Sequence, residues 1–207
     1  MAQRRVALFG GSFDPVHNGH TRVARAAAEQ LEAQTVVFIP AKCSPLKRFL
    51  PHAGDEDRLK MIELATQEEN MFTVSQCELQ RPAPSYTLDT VKQFQAEYGD
   101  ETTVYWLLGA DSVADLVYWH AIDQLIDSCN LAVMVRGGYE APAFDQYVSV
   151  WGSERVAKLR RNVVRTPSID ISSTEIRDRI ATGKDVSGML APAVIDYINQ
   201  RELYRRV

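Results

Sequence analysis

Short apolar runs rich in β-branched residues alternate along this chain with longer stretches whose apolar residues recur every three or four positions. That alternation predicts βαβ units, in which parallel strands are buried on both faces and amphipathic helices pack over them. Six strands are predicted: 6–10 (VALFG), 35–40 (TVVFIP), 72–77 (FTVSQC), 103–109 (TVYWLLG), 130–135 (NLAVMV) and 162–166 (NVVRT). Helices are predicted over 20–32, 55–69, 85–98 and 111–127, and later over 173–182 and 192–203. Leu88, Val91, Phe94 and Tyr98 run down one face of the third; Pro192 opens the last at a first-turn position, ahead of Val194, Ile195, Tyr197 and Ile198. The segment 137–161 breaks the pattern. Gly137, Gly138 and Pro142 predict a loop and ERVAKLRRN a polar helix, so it reads as an excursion outside the sheet. The fold class is α/β, a doubly wound parallel sheet, with residues 1–207 as a single domain. Such a sheet binds its ligand at the carboxyl ends of the strands, near the switch in strand order.

Composition excludes several other classes. With 45% hydrophobic and 24% charged residues, a chain of 207 residues is near the globular average and long enough to bury a substantial core, which rules out disordered and fibrous classes. No stretch approaches the roughly 20 apolar residues of a membrane span, and MAQRRVALFGGS reaches Gly10-Gly11 before a signal-peptide core can form. The expectation is a cytoplasmic protein with no membrane partner. The 23 Lys and Arg against 27 Asp and Glu give a net charge of −4 without a long basic run, so nucleic acid is not an expected partner and any anionic ligand must be held by local charge. Cys43, Cys77 and Cys129 are odd in number and widely spaced, which fits free thiols in a reducing compartment and not a zinc cluster.

The densest chemistry follows the first strand, in GGSFDPVHNGH (10–20). Gly10 and Gly11 let a ligand approach the backbone, and Asp14-Pro15 shapes a tight turn. If a helix begins near Asn18, His17 and His20 bring two imidazoles to one small volume at its positive end, with Gly19 leaving that space open. Imidazoles placed there can hold phosphate oxygens and stabilise the charge that grows during phosphoryl or nucleotidyl transfer. A shared metal is the rival use, but only Asp14 is adjacent as a further ligand. Far along the chain, Ser172 followed by Glu175 forms a capping box, so a second helix starts there. Ser173, Thr174 and the first-turn amides can cradle a polyphosphate, with Arg177 adding a fork for its oxygens. Two such helix starts imply a nucleoside triphosphate stretched between them.

His17-Asn18-Gly19-His20 resembles the H-x-G-H signature of a nucleotidyltransferase superfamily, and Ile171-Ser172-Ser173-Thr174-Glu175-Ile176-Arg177 resembles its second motif, I-S-S-T-x-I-R. Class I aminoacyl-tRNA synthetases carry a related signature, but they are much larger and have a KMSKS loop that is absent here. Across nearly the whole chain, GGSFDPVHNGH, PSYTLDT (84–90), LLGADS (107–112), the Trp119 region, RGGY (136–139) and ISSTEIR resemble bacterial nicotinate-nucleotide adenylyltransferases in order and approximate spacing.

That resemblance implies a Rossmann-like fold and adenylyl transfer from ATP to nicotinate mononucleotide, giving nicotinate adenine dinucleotide and pyrophosphate in NAD biosynthesis. It assigns His17, His20, Lys47 and Arg177 to catalysis. It assigns Gly10, Gly11, Ser12, Phe13, Gly19, Gly109, Asp111, Ile171, Ser172, Ser173 and Thr174, with the two histidines and Arg177, to ATP. Ser12, Lys42, Ser85, Tyr86, Thr87, Trp119 and Arg136 fall to the nicotinate nucleotide, with Trp119 stacking on the pyridine ring. It implies Mg²⁺ carried on the ATP phosphates, with Asp111 as the carboxylate near it or near the ribose and no metal held by protein ligands alone; a homo-oligomer is compatible with it. Without the resemblance, Trp119 reads as helix packing, and Tyr86 and Thr87 as the opening of a helix. Nicotinamide mononucleotide, another phosphorylated acceptor, and a nucleotide-binding regulator without turnover stay open. The last is prompted by 40–47, where Leu46 replaces the family's usual histidine and Ser44 a proline, while Lys47 keeps the cation. Ser12 stands where Thr is frequent, and Gly137 where proline is common.

Overall fold

The computed structural model describes residues 3–46 and 49–205. In chain order the elements are β1 (Arg4–Gly11), α1 (Asn18–Leu31), β2 (Thr35–Pro40), α2 (Asp55–Thr66), β3 (Phe72–Val74), α3 (Cys77–Gln80), α4 (Thr87–Tyr98), β4 (Thr102–Gly109), a 3-10 helix (Ala110–Tyr118), α5 (Ile122–Ser128), β5 (Asn130–Arg136), a second 3-10 helix (Phe144–Tyr147), α6 (Val148–Trp151), α7 (Ser153–Arg161), β6 (Val163–Thr166), α8 (Ser173–Ala181) and α9 (Pro192–Gln200). The strands form one parallel sheet in the order β3-β2-β1-β4-β5-β6. The order reverses between β1 and β4. A crevice therefore opens beyond their carboxyl ends, where the helices that follow them leave on opposite faces.

The pleat divides the core in two. Ala7 and Phe9 of β1, Val36 and Phe38 of β2, Leu107 of β4 and Ala132 and Met134 of β5 join one apolar cluster with residues of α1, α2, α8 and α9. Val6 and Leu8, Val37 and Ile39, Trp106 and Leu108, and Leu131 and Val133 join the other, with residues of α4, α5, α6 and α7. Alternate side chains of a strand point to opposite faces, so strands covered on both sides must be apolar throughout, and this is why these runs show no polar alternation in the sequence. The short β3 and β6 stand at the edges.

Two expectations need correction. The stretch 111–127 is not one helix: the 3-10 helix ends at Tyr118, Trp119 is extended (φ −73°, ψ 139°), and Ala121 turns left-handed (φ 48°) before α5 begins. Periodicity alone could not see the break, because Leu116 and Leu125 both bury toward the same cluster. The 137–161 segment adds no strand, but neither does it lie outside the packed layers. Phe144, Trp151, Val156 and Leu159 are buried in the second cluster, and the expected polar helix is α7. Among the described residues no helix is long and apolar enough to cross a membrane.

Leu8 is fully buried in the central strand. Leu8→Ala should lower the free energy of unfolding in urea by about 3 kcal/mol, the usual cost of such a cavity; a loss under about 1 kcal/mol would contradict the central position assigned to β1.

Candidate active site

β1 delivers its last residues into the crevice, and glycine is required there. A Cβ on Gly10 would run into the Trp106 ring of β4, and one on Gly11 would press the Phe13 ring at 3.0–3.3 Å. The chain then turns through Phe13, whose φ of 45° is unusual for a residue with a side chain. The buried ring, edge-on to Phe9 at 5.5 Å and to His20 at 5.1 Å, offsets that strain. Phe13 is thus part of the wall that carries the histidines.

His17 caps α1, and the cap is reciprocal: the His20 amide donates to His17 Nδ1 at 3.3 Å, and the His17 amide donates to His20 Nδ1 at 3.2 Å. The rings stack with centroids 3.7 Å apart. Because each Nδ1 accepts an amide hydrogen, the ring hydrogen of each neutral imidazole resides on Nε2. Burial holds the His17 pKa down to about 4, so it is a neutral donor at physiological pH. A Cβ on Gly19 would stand 2.8–2.9 Å from the His17 ring, which explains the glycine between the two histidines. The first turn of α1 contains no acidic residue, so its positive end is left to an anion.

The second motif meets the first directly. Ser172 caps α8 by accepting from the Glu175 amide at 3.1 Å, while the Glu175 carboxylate lies 3.7 Å from Arg179, so the side-chain half of the expected capping box is turned elsewhere. The Ser173 hydroxyl donates to the Pro15 carbonyl at 2.9 Å. Arg177 donates to the Asp14 carbonyl at 2.7 Å and to Thr174 Oγ1 at 3.2 Å. From behind, the fully buried Arg58 of α2 donates to the Ser12 carbonyl at 2.7 Å and pairs with Asp55 at 2.6 Å. The turn between β1 and α1 is thereby held by cations from α2 and α8.

A cavity of about 530 Å³ opens beside this turn. Gly10, Gly11, Ser12, Ser85, Tyr86, Thr87, Gly109 and Trp119 all line it, so eight of the residues assigned to the two nucleotides converge. Trp119, freed by the break before α5, is half-buried against the second cluster. Asp111 folds back over Gly109, where a Cβ would strike its Oδ1. Three assigned residues stand apart. The Lys42 ammonium donates to the Leu79 carbonyl at 3.2 Å, and its amide donates to Ser85 Oγ at 3.1 Å. Arg136 is exposed at the end of β5 and does not line the cavity. Lys47 lies outside the described residues. Leu46, in the place of the usual histidine, lines the cavity mouth.

The structure also adds residues to the cavity. His120 stacks on Tyr86 with centroids 4.2 Å apart, and Trp106 closes the wall over Gly10. Glu78 lies buried at the cavity floor, accepting from Thr90 at 2.6 Å; burial pushes its carboxyl up, against the opposing pull of the Thr90 and Ser85 hydroxyls and Arg81. His120 had a signal, being one of four histidines and adjacent to Trp119. Glu78 and Arg58 had none, since each owes its role to residues remote in sequence. Among the described residues, no three His, Cys, Asp or Glu side chains cluster to hold a metal ion.

The cytidylyltransferase-like family matches residues 8–179. A protein of Rhodopirellula baltica named "Probable nicotinate-nucleotide adenylyltransferase" is 36% identical over 97% of this chain and 93% of its own length. One of the same name from Chromobacterium violaceum is 37% identical over 97% and 99%. The solved structure of Plasmodium falciparum nicotinic acid mononucleotide adenylyltransferase complexed with NaAD shares the fold, with a TM-score of 0.72 and 20% identity over 97% of each chain.

His17 binds a proton more weakly folded than unfolded, so its neutral burial contributes stability above pH 6.5 that is lost as the pH falls toward 4. By proton NMR its ring should titrate near pH 4, and the unfolding free energy should drop by about 3 kcal/mol across that window. Titration near 6.5 would show that the ring is not buried as described.

Proposed function

We propose that this chain, which belongs to the nicotinate-nucleotide adenylyltransferases of the cytidylyltransferase-like family, joins ATP and nicotinate mononucleotide into nicotinate adenine dinucleotide and pyrophosphate, an adenylyl transfer in NAD biosynthesis. One observation carries the reading at the level of the site. Two anion-holding helix starts, more than 150 residues apart in sequence, are hydrogen-bonded to each other at the switch point of the sheet, beside a cavity lined with aromatic and hydroxyl side chains.

The acceptor's phosphate oxygen attacks the α-phosphorus of ATP in line, forming the new P–O bond while the bond to the β-phosphate oxygen breaks and pyrophosphate leaves. The attacking phosphate is already an anion, so no general base is needed; the work is to bring two negative groups together and offset the charge that develops. His17 and His20 do this as neutral Nε2–H donors whose direction is fixed by their reciprocal cap. The first-turn amides of α8 and the guanidinium hydrogens of Arg177 not spent on Asp14 and Thr174 hold the leaving pyrophosphate. The Ser173 hydroxyl, which donates to Pro15, staples the two motifs together. Mg²⁺ enters with ATP as part of the substrate and lowers the charge on its phosphates. Asp111, in the first turn of the 3-10 helix after β4, is the carboxylate near it or near the ribose. Trp119 receives the pyridine ring, a stack worth about 1 kcal/mol, with the Tyr86–His120 pair and Ser85 beside it.

The test is pyrophosphate release from Mg·ATP with nicotinate mononucleotide, nicotinamide mononucleotide and phosphopantetheine offered in parallel. Strong preference for the nicotinate nucleotide is expected; turnover with another acceptor overturns the assignment of the cavity, and ATP binding without turnover on any of them overturns the enzyme reading. His20→Ala should lower kcat roughly 10²-fold with a smaller effect on nucleotide binding, as loss of an oriented transition-state donor does.

A further inference from the structure

The segment after α9 is built into the active-site turn. The Asp14 carboxyl is only 5% exposed and takes four donors: Oδ2 accepts from the His52 amide at 2.7 Å and His52 Nδ1 at 3.1 Å, and Oδ1 accepts from the Ala53 amide at 3.0 Å and the Tyr204 hydroxyl at 2.9 Å. Burial by itself would push this carboxyl up, but the two amides, Tyr204 and His52 together hold it below its ordinary range. A carboxylate offers about four acceptor sites, so these donors saturate it. Arg177 stands close by, donating to the Asp14 backbone carbonyl at 2.7 Å, yet its guanidinium is 3.8 Å from Oδ2 and makes no direct hydrogen bond to the carboxylate.

Tyr204 does not reach this place by following a regular helix. Glu202 (φ 55°) and Tyr204 (φ 63°) both adopt the left-handed region, which is unfavourable for residues with side chains and persists only where surrounding contacts impose it. Those contacts are present. The Tyr197 hydroxyl and the Arg201 guanidinium both donate to Asp57 of α2, at 2.8 and 3.1 Å, and the Leu203 amide donates back to Ile198 at 3.0 Å. The tail is thus fixed to α2, and the Tyr204 ring packs against the first core cluster with its hydroxyl on Asp14.

We infer that Tyr204 is a positioning residue for adenylyl transfer: by filling the last acceptor site of Asp14, its hydroxyl keeps that carboxylate from capturing Arg177 and leaves the guanidinium for the substrate polyphosphate. The inference rests on the adenylyltransferase reading of the site. Without the hydroxyl, the carboxylate has an open acceptor position, and Arg177, already paired with its Oδ2 at 3.8 Å, is a cation beside it. Its movement of about 1 Å toward the carboxylate would turn that long ion pair into a direct hydrogen bond and draw the guanidinium away from ATP, and displacements of that size at a reacting centre cost up to about 10²-fold.

The experiment is a double-mutant cycle of Tyr204→Phe and Arg177→Gln in the full chain, read in kcat, in KM for Mg·ATP and for nicotinate mononucleotide, and in the ATP-induced rise of the melting temperature. Wild type is assayed first. Absence of turnover there overturns the function, and the role of Tyr204 is then judged from the ATP-induced melting shift alone. Tyr204→Phe keeps the packed ring, so its own melting temperature should fall by only about 2–4 °C, as for one lost hydrogen bond in a chain of this size. Its kcat/KM for Mg·ATP should drop roughly tenfold or more, with KM for the nicotinate nucleotide unchanged. In the Arg177→Gln background the same substitution should have almost no effect on ATP. An equal loss in both backgrounds, or an equal loss toward both substrates, would show a merely structural tyrosine and overturn the inference. So would a Tyr204→Phe enzyme as active as wild type.

Discussion

Two hydrogen bonds, from the Ser173 hydroxyl to the Pro15 carbonyl and from the Arg177 guanidinium to the Asp14 carbonyl, join the start of α8 to the turn that follows β1. The layout of the candidate site depends on that junction. It sets the start of α8, with its Arg177 guanidinium, against the turn that leads into α1, so two positive helix ends stand at one crevice. The parallel sheet makes the junction possible, because the reversal of strand order at β1 and β4 opens the crevice in which the early and late parts of the chain meet.

The histidine pair shows how the fold converts a short motif into chemistry. Each ring accepts an amide hydrogen from the other residue, so the cap that opens α1 also fixes the tautomer, with the ring hydrogen on Nε2. Burial keeps His17 neutral, so it offers a directed hydrogen bond and not a standing charge. Gly10 and Gly19 belong to the same device. One admits the Trp106 ring against the β1 backbone, and the other admits the His17 ring against α1. Substitution at either would move the groups that face the ligand before it touched the ligand itself.

Much of this was legible in the residues. The six strands, most of the helices and the doubly wound sheet follow from periodicities that only two-sided burial explains, and the H-x-G-H and I-S-S-T-x-I-R strings point to phosphate because glycine, imidazole and helix starts leave few other uses for that pattern. The failures were local and had physical causes. Trp119 was read inside a helix because apolar spacing continues through 111–127, while the left-handed Ala121 that frees it carries no sequence signal. The 137–161 segment reads as an excursion because Gly137, Gly138 and Pro142 break the pattern and ERVAKLRRN is polar, yet Phe144, Trp151 and Leu159 are buried in the second cluster. Lys42 carried the right charge in the right loop, but the nearest acceptor for its ammonium is the Leu79 carbonyl.

By itself, then, the sequence determined the class of fold and marked the two strings that the fold brings together at one end of the sheet, because these rest on local periodicity, backbone freedom and capping. Only the tertiary structure decided which neutral form the histidines take, that Arg58 braces Ser12 from behind, that His120 joins Tyr86 in the cavity, and that Asp14 gathers His52, Ala53, Arg177 and Tyr204. Those facts depend on groups separated by tens to nearly two hundred residues. Long-range pairing of that kind is set by how helices and strands pack, and no local pattern encodes it.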